Sequence, residues 1–356
     1  MKRITAIVSF LLLGILTAVY VGFGFPGGKN DLPIDRELEG LEKKYVIRFS
    51  HVVASDSPKG LAANYFADLV SEKTNGWVEV QIFPNGVLYD AQQEFAALKR
   101  GDVQMIAPAF SEVMVHDVNW AIMDMPYLFA DDDDIRAALD GNIGQLLLES
   151  LQAKGYLGLT FWENGFKQPI NRECPIRRPE DMNSLRMRIM PSEALADMYT
   201  LLGAQPHPAP FNEVYQLLHE RSIDGTENTP TNIYTKGFYK EQLYLTVTNH
   251  NYLGYVVIVN ESFWNGLPRD YRKAVQEALA EVSLKMHSEA VALNRKHLQK
   301  LTDSTLDVHV QSAAEKRTWI EALKPLYAKY RALISPDLAA EMKKLQQREQ
   351  KEQKDQ

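Results

Sequence analysis

Arg188, Lys167 and Asn228 are the residues of this chain whose types and placement suit the binding of an anion. Arg188 lies in the alternating run Leu185-Arg186-Met187-Arg188-Ile189, just ahead of Pro191-Ser192, a strand end followed by a helix start. It therefore falls at the carboxyl end of a predicted strand, where open α/β sheets bind their ligands. A planar guanidinium there holds a carboxylate through two parallel hydrogen bonds and fixes its orientation. Lys167, closing Phe161-Trp162-Glu163-Asn164-Gly165-Phe166-Lys167, supplies a second positive charge. Asn228, closing Asp224-Gly225-Thr226-Glu227-Asn228, supplies an amide donor. Spacing alone leaves another reading open, with Arg188 in an ion pair between two lobes and Lys167 in solvent.

Other chemistries find little support. The eight histidines are dispersed, with no His-Glu-x-x-His pair, and Cys174 is the only cysteine, so no metal site is expected. The acidic run Asp131 to Asp134 precedes Ile135-Arg136 and reads as a helix start favoured by the helix dipole. No Gly-x-Ser-x-Gly elbow, phosphate-cradling glycine loop or nucleophile–base pair is visible, so neither an enzyme nor a cofactor is expected. A formal net charge of −7 without a basic stripe argues against nucleic acid as a partner. An anionic ligand would be caught by local cations and not by the global field.

The elements that must position these residues alternate between strand and helix. Tyr45 to Phe49 reads as a strand, and Ser57-Pro58 as a helix cap with proline in the first turn. That helix carries Leu61, Tyr65 and Leu69 on one stripe and stops at Asn75-Gly76. Val78, Val80 and Ile82 alternate with polar residues until Pro84-Asn85-Gly86, and Asp90 with Gln93 forms a capping-box pattern for a helix to Gly101. Val103 to Ala107 is a short buried strand, Asn212 opens a helix to about Arg221, and Asp224-Gly225 is a turn. Tyr252 to Val259 is apolar enough for a central strand. Such alternation predicts parallel sheet covered by helices. Arg269 to Leu301 is a single helix on the order of 45 Å long, more than one lobe's width.

With 45% hydrophobic and 24% charged residues, 356 residues suit a soluble protein of two lobes. Lys2-Arg3 followed by the apolar stretch Ile4 to Phe25 reads as a secretory signal peptide or a membrane anchor, within residues 1–29. Everything after about Asn30 is thus expected outside the cytoplasmic membrane, in the periplasm. Residues 343–356 form a polar tail, a frayed or disordered helix.

Several of these segments, in order, resemble the solute-binding proteins of tripartite ATP-independent periplasmic (TRAP) transporters. They include Phe49-Ser50-His51, Ser57-Pro58-Lys59-Gly60, Phe83-Pro84-Asn85, Met125-Pro126-Tyr127-Leu128-Phe129, Asn164-Gly165-Phe166-Lys167, Pro179-Glu180-Asp181-Met182, Leu185-Arg186-Met187-Arg188 and Phe211-Asn212-Glu213-Val214-Tyr215. The resemblance covers about residues 45 to 335. It implies a two-lobed α/β fold of the periplasmic-binding-protein type, with the long helix spanning both lobes. Lobe I would take residues 44–165 and 256–292, and lobe II residues 166–255 and 293–342. It also implies that Arg188 is the family's central carboxylate-binding arginine, and that the partners are a small organic acid and TRAP membrane subunits.

Thr248-Asn249-His250, Tyr252-Leu253-Gly254-Tyr255 and Val257-Ile258-Val259-Asn260 most resemble the four-carbon dicarboxylate binders, which adds Tyr252 to the candidate ligand residues. A dicarboxylate needs a cation at each end. Lys59, in the first turn of a helix whose free N–H groups attract anions, would face Arg188 across the cleft, or else be a surface lysine. His51 and His250 are donors on the cleft wall or satisfied histidines at strand ends. Two departures stand out: Lys167 replaces an arginine common in the family, and Asn183-Ser184 replaces a Lys-Gly turn, placing turn geometry on Asn183. Within the class, a monocarboxylate, keto acid or sugar acid is the alternative ligand. Outside it, the alternative role is that of a ligand-sensing partner of a receptor.

Overall fold

The structure is a computed structural model that describes residues 44–355. The signal or anchor expected in residues 1–29 lies outside the described residues. No helix among the described residues is long and apolar enough to cross a membrane.

Ten strands run in the order β1 (Tyr45–Ser50), β2 (Val78–Phe83), β3 (Met105–Ile106), β4 (Leu157–Asn171), β5 (Arg186–Ile189), β6 (Gln205–Pro208), β7 (Gly225–Asn228), β8 (Tyr244–Val247), β9 (Asn251–Val259) and β10 (Asp307–Val310). In space they form β2-β1-β3-β9-β4-β7-β5-β6, with β8 also on β4 and β10 on β8. The expected parallel pairing holds for β1 with β2 and β3, for β5 with β6 and β7, and for β8 with β10. It fails for β4 and β9, which run antiparallel to each other and to their other neighbours. Parallel pairing needs a crossover connection, usually a helix; β4 instead runs on from its pairing with β9 to pair with β7 and β8.

One strand therefore serves both halves. From Leu157 to Lys167, β4 pairs with β9, and from Gln168 to Asn171 it pairs with β7. The helix Arg269–Thr302 runs beside it, 34 residues and so about 51 Å long. Its Val275, Leu279, Val282 and Met286 enter the larger apolar core, with Phe49, Phe66, Trp162 and Ile258. Its Leu301 enters a smaller core with Ile170, Phe211, Phe238 and Leu245. The contact between helix and strand is close because Gly165 has no side chain. A Cβ there would strike Asn294 of the helix, whose Nδ2 donates to Asn164 O at 2.7 Å.

The local signals act where the chain reads them. Ser57 caps the helix Pro58–Lys73, Asp90 and Gln93 close a capping box on Ala91–Arg100, and Gly101 ends that helix at φ 79°. Asp131 caps Asp132–Asp140 by accepting from Asp134 N.

Several expectations need correction. The first helix buries Ala62, Ala63, Phe66 and Val70 most deeply, leaving Leu61 and Tyr65 half-buried under the long helix. The strand expected over 103–107 narrows to Met105–Ile106. The segment expected to start at Asn212 opens as a 3-10 turn at Phe211 without a side-chain cap. Gly225 is not in a turn but in β7, where a Cβ would meet Ile170 O and Asn171 Cβ. The left-handed residue before β5 is Ser184, at φ 66°, and not Asn183. The tail continues as helix, Pro336–Asp355.

Candidate functional site

Arg188 lies on β5, which sits between β6 and β7 in the sheet and is buried from Met187 to Ile189. Its side chain is fully buried, with Nε and Nη2 donating to Ala209 O at 2.9 and 2.6 Å. Nη1 has no partner, and no carboxylate among the described residues forms an ion pair with it. Burial draws the guanidinium down to about 10, against the pull of Glu112, Glu227 and Glu213, so it remains charged at neutral pH.

Lys59 is not a surface lysine: it is 1% exposed. Its Nζ donates to Ala107 O at 2.8 Å and sits 4.1 Å from the centre of the Tyr255 ring. Burial lowers the ammonium's pKa, while Glu94 and Glu112 pull it back. Glu94 accepts from Ser50 Oγ at 2.8 Å and is pushed up to about 8 by burial, against Lys59 and Ser50. His51 is buried beside them, and neither ring nitrogen finds a partner. Burial, then Lys59, brings its pKa down to about 3, so the ring is neutral.

Glu112, on the short helix Phe110–Val113, lies within electrostatic reach of both cations. Its Oε2 accepts from Ala109 N at 3.0 Å. Burial pushes its carboxyl up, with Lys59 and Arg188 opposing. Lys59, Glu112, Met190, Phe211, Asn232 and Tyr255 help to line a cavity of about 20 Å³, room for roughly one water. Asn228 supports this wall: its Oδ1 accepts from Thr229 N and from Asn232 Nδ2. Asn232 Oδ1 is left without a partner.

Lys167 and His250 are committed elsewhere. Glu227 lies opposite Pro169 across β4 and β7, so its side chain shares a face with Lys167, two residues along. Lys167 Nζ donates to Glu227 Oε1 at 2.8 Å, all of it buried, so the lysine is neither solvated nor free of a carboxylate. His250 Nε2 stands 2.7 Å from Glu227 Oε2, Tyr199 Oη donates to the same oxygen at 3.0 Å, and Thr248 Oγ1 is 2.7 Å from His250 Nδ1. Burial opposes the charge on Glu227, yet Lys167 and His250 together hold its carboxyl far below the usual range.

Tyr252 faces away from the cavity. Leu253 and Tyr255 line it from one face of β9, and Tyr252 falls on the other. There its hydroxyl reaches Glu163 Oε2 at 3.4 Å, an oxygen also 2.6 Å from His287 Nδ1.

Of the expected residues, Lys59 lines the cavity itself and Asn228 reaches it through Asn232; Arg188 and His51 lie close enough to Glu112 and Lys59 to feel their charge, and Tyr252 falls on the other face of β9. Glu112, Asn232 and Tyr255 escaped the sequence reading. Tyr255 sat in a quoted motif, but a nearly all-apolar strand has no period to reveal which face its residues take.

Comparison with known proteins identifies the family. The bacterial extracellular solute-binding proteins, family 7, match residues 49–333. The chain is 39% identical over 346 residues to the C4-dicarboxylate-binding protein DctB of Bacillus subtilis, covering 97% of this chain and 99% of that one. It is 40% identical over 320 residues to the C4-dicarboxylate-binding periplasmic protein DctP of Rhodobacter capsulatus, covering 89% and 95%. The fold is similar to that of a TRAP periplasmic solute-binding protein of Sulfurospirillum deleyianum with bound succinate, at TM-score 0.82 and 36% identity, covering 85% and 99%. A relative from Pseudomonas aeruginosa with bound L-malate gives TM-score 0.78 and 34% identity, covering 80% and 100%.

Proposed function

Because this chain belongs to the bacterial extracellular solute-binding proteins of family 7, we propose that it captures a four-carbon dicarboxylate, such as succinate, malate or fumarate, for TRAP membrane subunits. It is a TRAP solute-binding protein of the periplasmic side, with the two-lobed fold of its relatives. The observation that carries the ligand reading is Arg188, a fully buried guanidinium with an unmet Nη1 and no carboxylate of its own. Such a group in a low-dielectric interior is costly until an anion joins it. One ligand carboxylate takes Arg188, and the other takes Lys59. Asn228, through Asn232, sets an amide beside them, and His51 offers a neutral ring on the wall. Lys167 and His250 serve indirectly, by fixing Glu227 and with it the β4–β7 seam. Capture is by binding alone, with no bond made or broken.

A cavity of about 20 Å³ is too small for a dicarboxylate, so the lobes must part to admit one and close over it. In this reading lobe I is residues 44–165 with 256–292, lobe II is 166–255 with 293–342, and β4 and β9 carry the hinge. Closure removes water from the ligand's charges, where hydrogen bonds count for more.

A thermal-shift panel of acids tests the proposal. A ligand present at about 100 times its Kd stabilises by about 2.7 kcal/mol, enough to separate a binder from a bystander. Succinate, malate and fumarate are expected to raise the melting temperature, and equal-length monocarboxylates much less. No shift with any four-carbon dicarboxylate, alongside a shift with keto or sugar acids, would overturn it.

A further inference from the structure

Resting on that dicarboxylate reading, we propose that Glu112 sets the length of acid the cleft accepts, its side chain being the wall between the ligand cavity and a second chamber behind it. Two cavities meet at this residue and share no other. On one side is the ligand cavity of about 20 Å³, with Lys59 and Tyr255. On the other is a chamber of about 200 Å³, lined in part by Ala91, Phe95, His116 and Pro191 and open to solvent beside the exposed Val115.

The wall is fixed in place. Glu112 is 6% exposed, and its Oε2 is held by Ala109 N at the start of its own helix. The chamber beyond is fixed to the same body. Phe95 meets His116 at a 45° tilt with ring centroids 4.1 Å apart, and His116 meets Tyr156 at 5.5 Å. Phe95, Ala97, Phe110 and Val113 pack in one apolar core and all fall within residues 44–165, so in the proposed division the helices on either side of the wall belong to the same lobe. Of the chamber's lining residues named, only Pro191 comes from the other lobe in that division, and opening of the lobes leaves Glu112 beside Ala91, Phe95 and His116.

The chemistry follows from position. A four-carbon diacid ends between Lys59 and Arg188, short of the wall. Each further methylene drives the distal carboxylate towards the Glu112 side chain, which has nowhere to go while Ala109 N holds it. Removing the side chain beyond Cβ joins the two spaces, and a longer acid then passes its distal group into the chamber beside His116.

Calorimetry with succinate, glutarate and adipate, on wild type, Glu112→Ala and Glu112→Gln, tests this. Wild type is expected to lose about tenfold or more in affinity for each added methylene. Glu112→Ala should bring glutarate and adipate level with succinate or ahead of it. Glu112→Gln keeps the bulk and should keep the wild-type order. Glu112→Asp, one methylene shorter and gentler on the fold, should fall between. Adding Ala91→Leu to Glu112→Ala refills the chamber and should restore the preference for succinate. An unchanged order in Glu112→Ala and Glu112→Asp, or an order relaxed as much by Gln as by Ala, overturns the inference while succinate still binds wild type. A wild type indifferent to all three acids overturns the dicarboxylate reading itself, and the inference with it.

Discussion

Lys167 and Arg188 are both fully buried cations on neighbouring parts of one sheet, yet they are built differently. Lys167 has its own carboxylate, Glu227, which also takes His250 and Tyr199. Arg188 has only the neutral oxygen of Ala209 and keeps Nη1 unused. A buried charge that is paired within the chain belongs to the fold. One left unpaired is a standing cost, which in the proposed function an external anion relieves. Sequence puts the two on an equal footing as positive charges; the register of β4 on β7 separates them.

The largest effect should come from breaking the internal pair. Lys167→Met leaves Glu227 buried and unmatched, and should cost about 3–5 kcal/mol of stability in urea unfolding. The same pair gives an acid dependence. The folded carboxyl of Glu227 is depressed, so its contribution is present above the unfolded value of about 4.3 and is lost as pH falls below it, when the unfolded chain takes a proton the folded one refuses. In Lys167→Met with Glu227→Gln that acid slope should shrink; an unchanged slope would assign it to other carboxylates.

Arg188→Ala should do the reverse, leaving stability equal or improved and weakening a dicarboxylate by about 2–5 kcal/mol, roughly 30-fold to several thousand-fold. Arg188→Lys should recover part of that affinity, since charge returns without the planar fork. Calorimetry beside unfolding curves reads both, and an Arg188→Ala protein that unfolds like Lys167→Met would erase the distinction. Next in size, Lys59→Gln should cost a dicarboxylate about 1.5–3 kcal/mol and an equal-length monocarboxylate much less. Equal losses would remove Lys59 as the second carboxylate's partner. Smallest is Arg186→Ala. Arg186 neighbours Arg188 on β5 but holds Asp224 at the surface, and its removal should leave both the unfolding midpoint and the affinity within error.

What the sequence made legible was local. Ser57, Asp90 with Gln93, and Gly101 act within four residues of themselves, and each does what its type suggests. The long helix and β9 were equally plain, because apolar spacing over many residues leaves little choice. The position of Arg188 followed from strand, strand end and helix start, all in one short stretch. Partnership was not legible. Glu227 is 60 residues from Lys167, and only the pairing of Pro169 with Glu227 brings them together. Glu112 stands alone in sequence, and its meaning comes from two cavities that no spacing records. The antiparallel course of β4 and β9 was hidden for a related reason: alternation reports that a helix intervenes, not that a strand crosses to the other half.

That crossing has a consequence for how the molecule is made. β9 lies between β3 and β4 in the sheet, though β4 to β8 all precede it in the chain. On the ribosome, β1, β2 and β3 emerge early but have no neighbour on their inner edge until Val259 has been synthesised. The long helix that packs on both cores comes later still. The pairings of β9 with β3 and β4 span long stretches of sequence, and such non-local pairing slows folding. The growing chain therefore stays without a finished sheet for most of its synthesis.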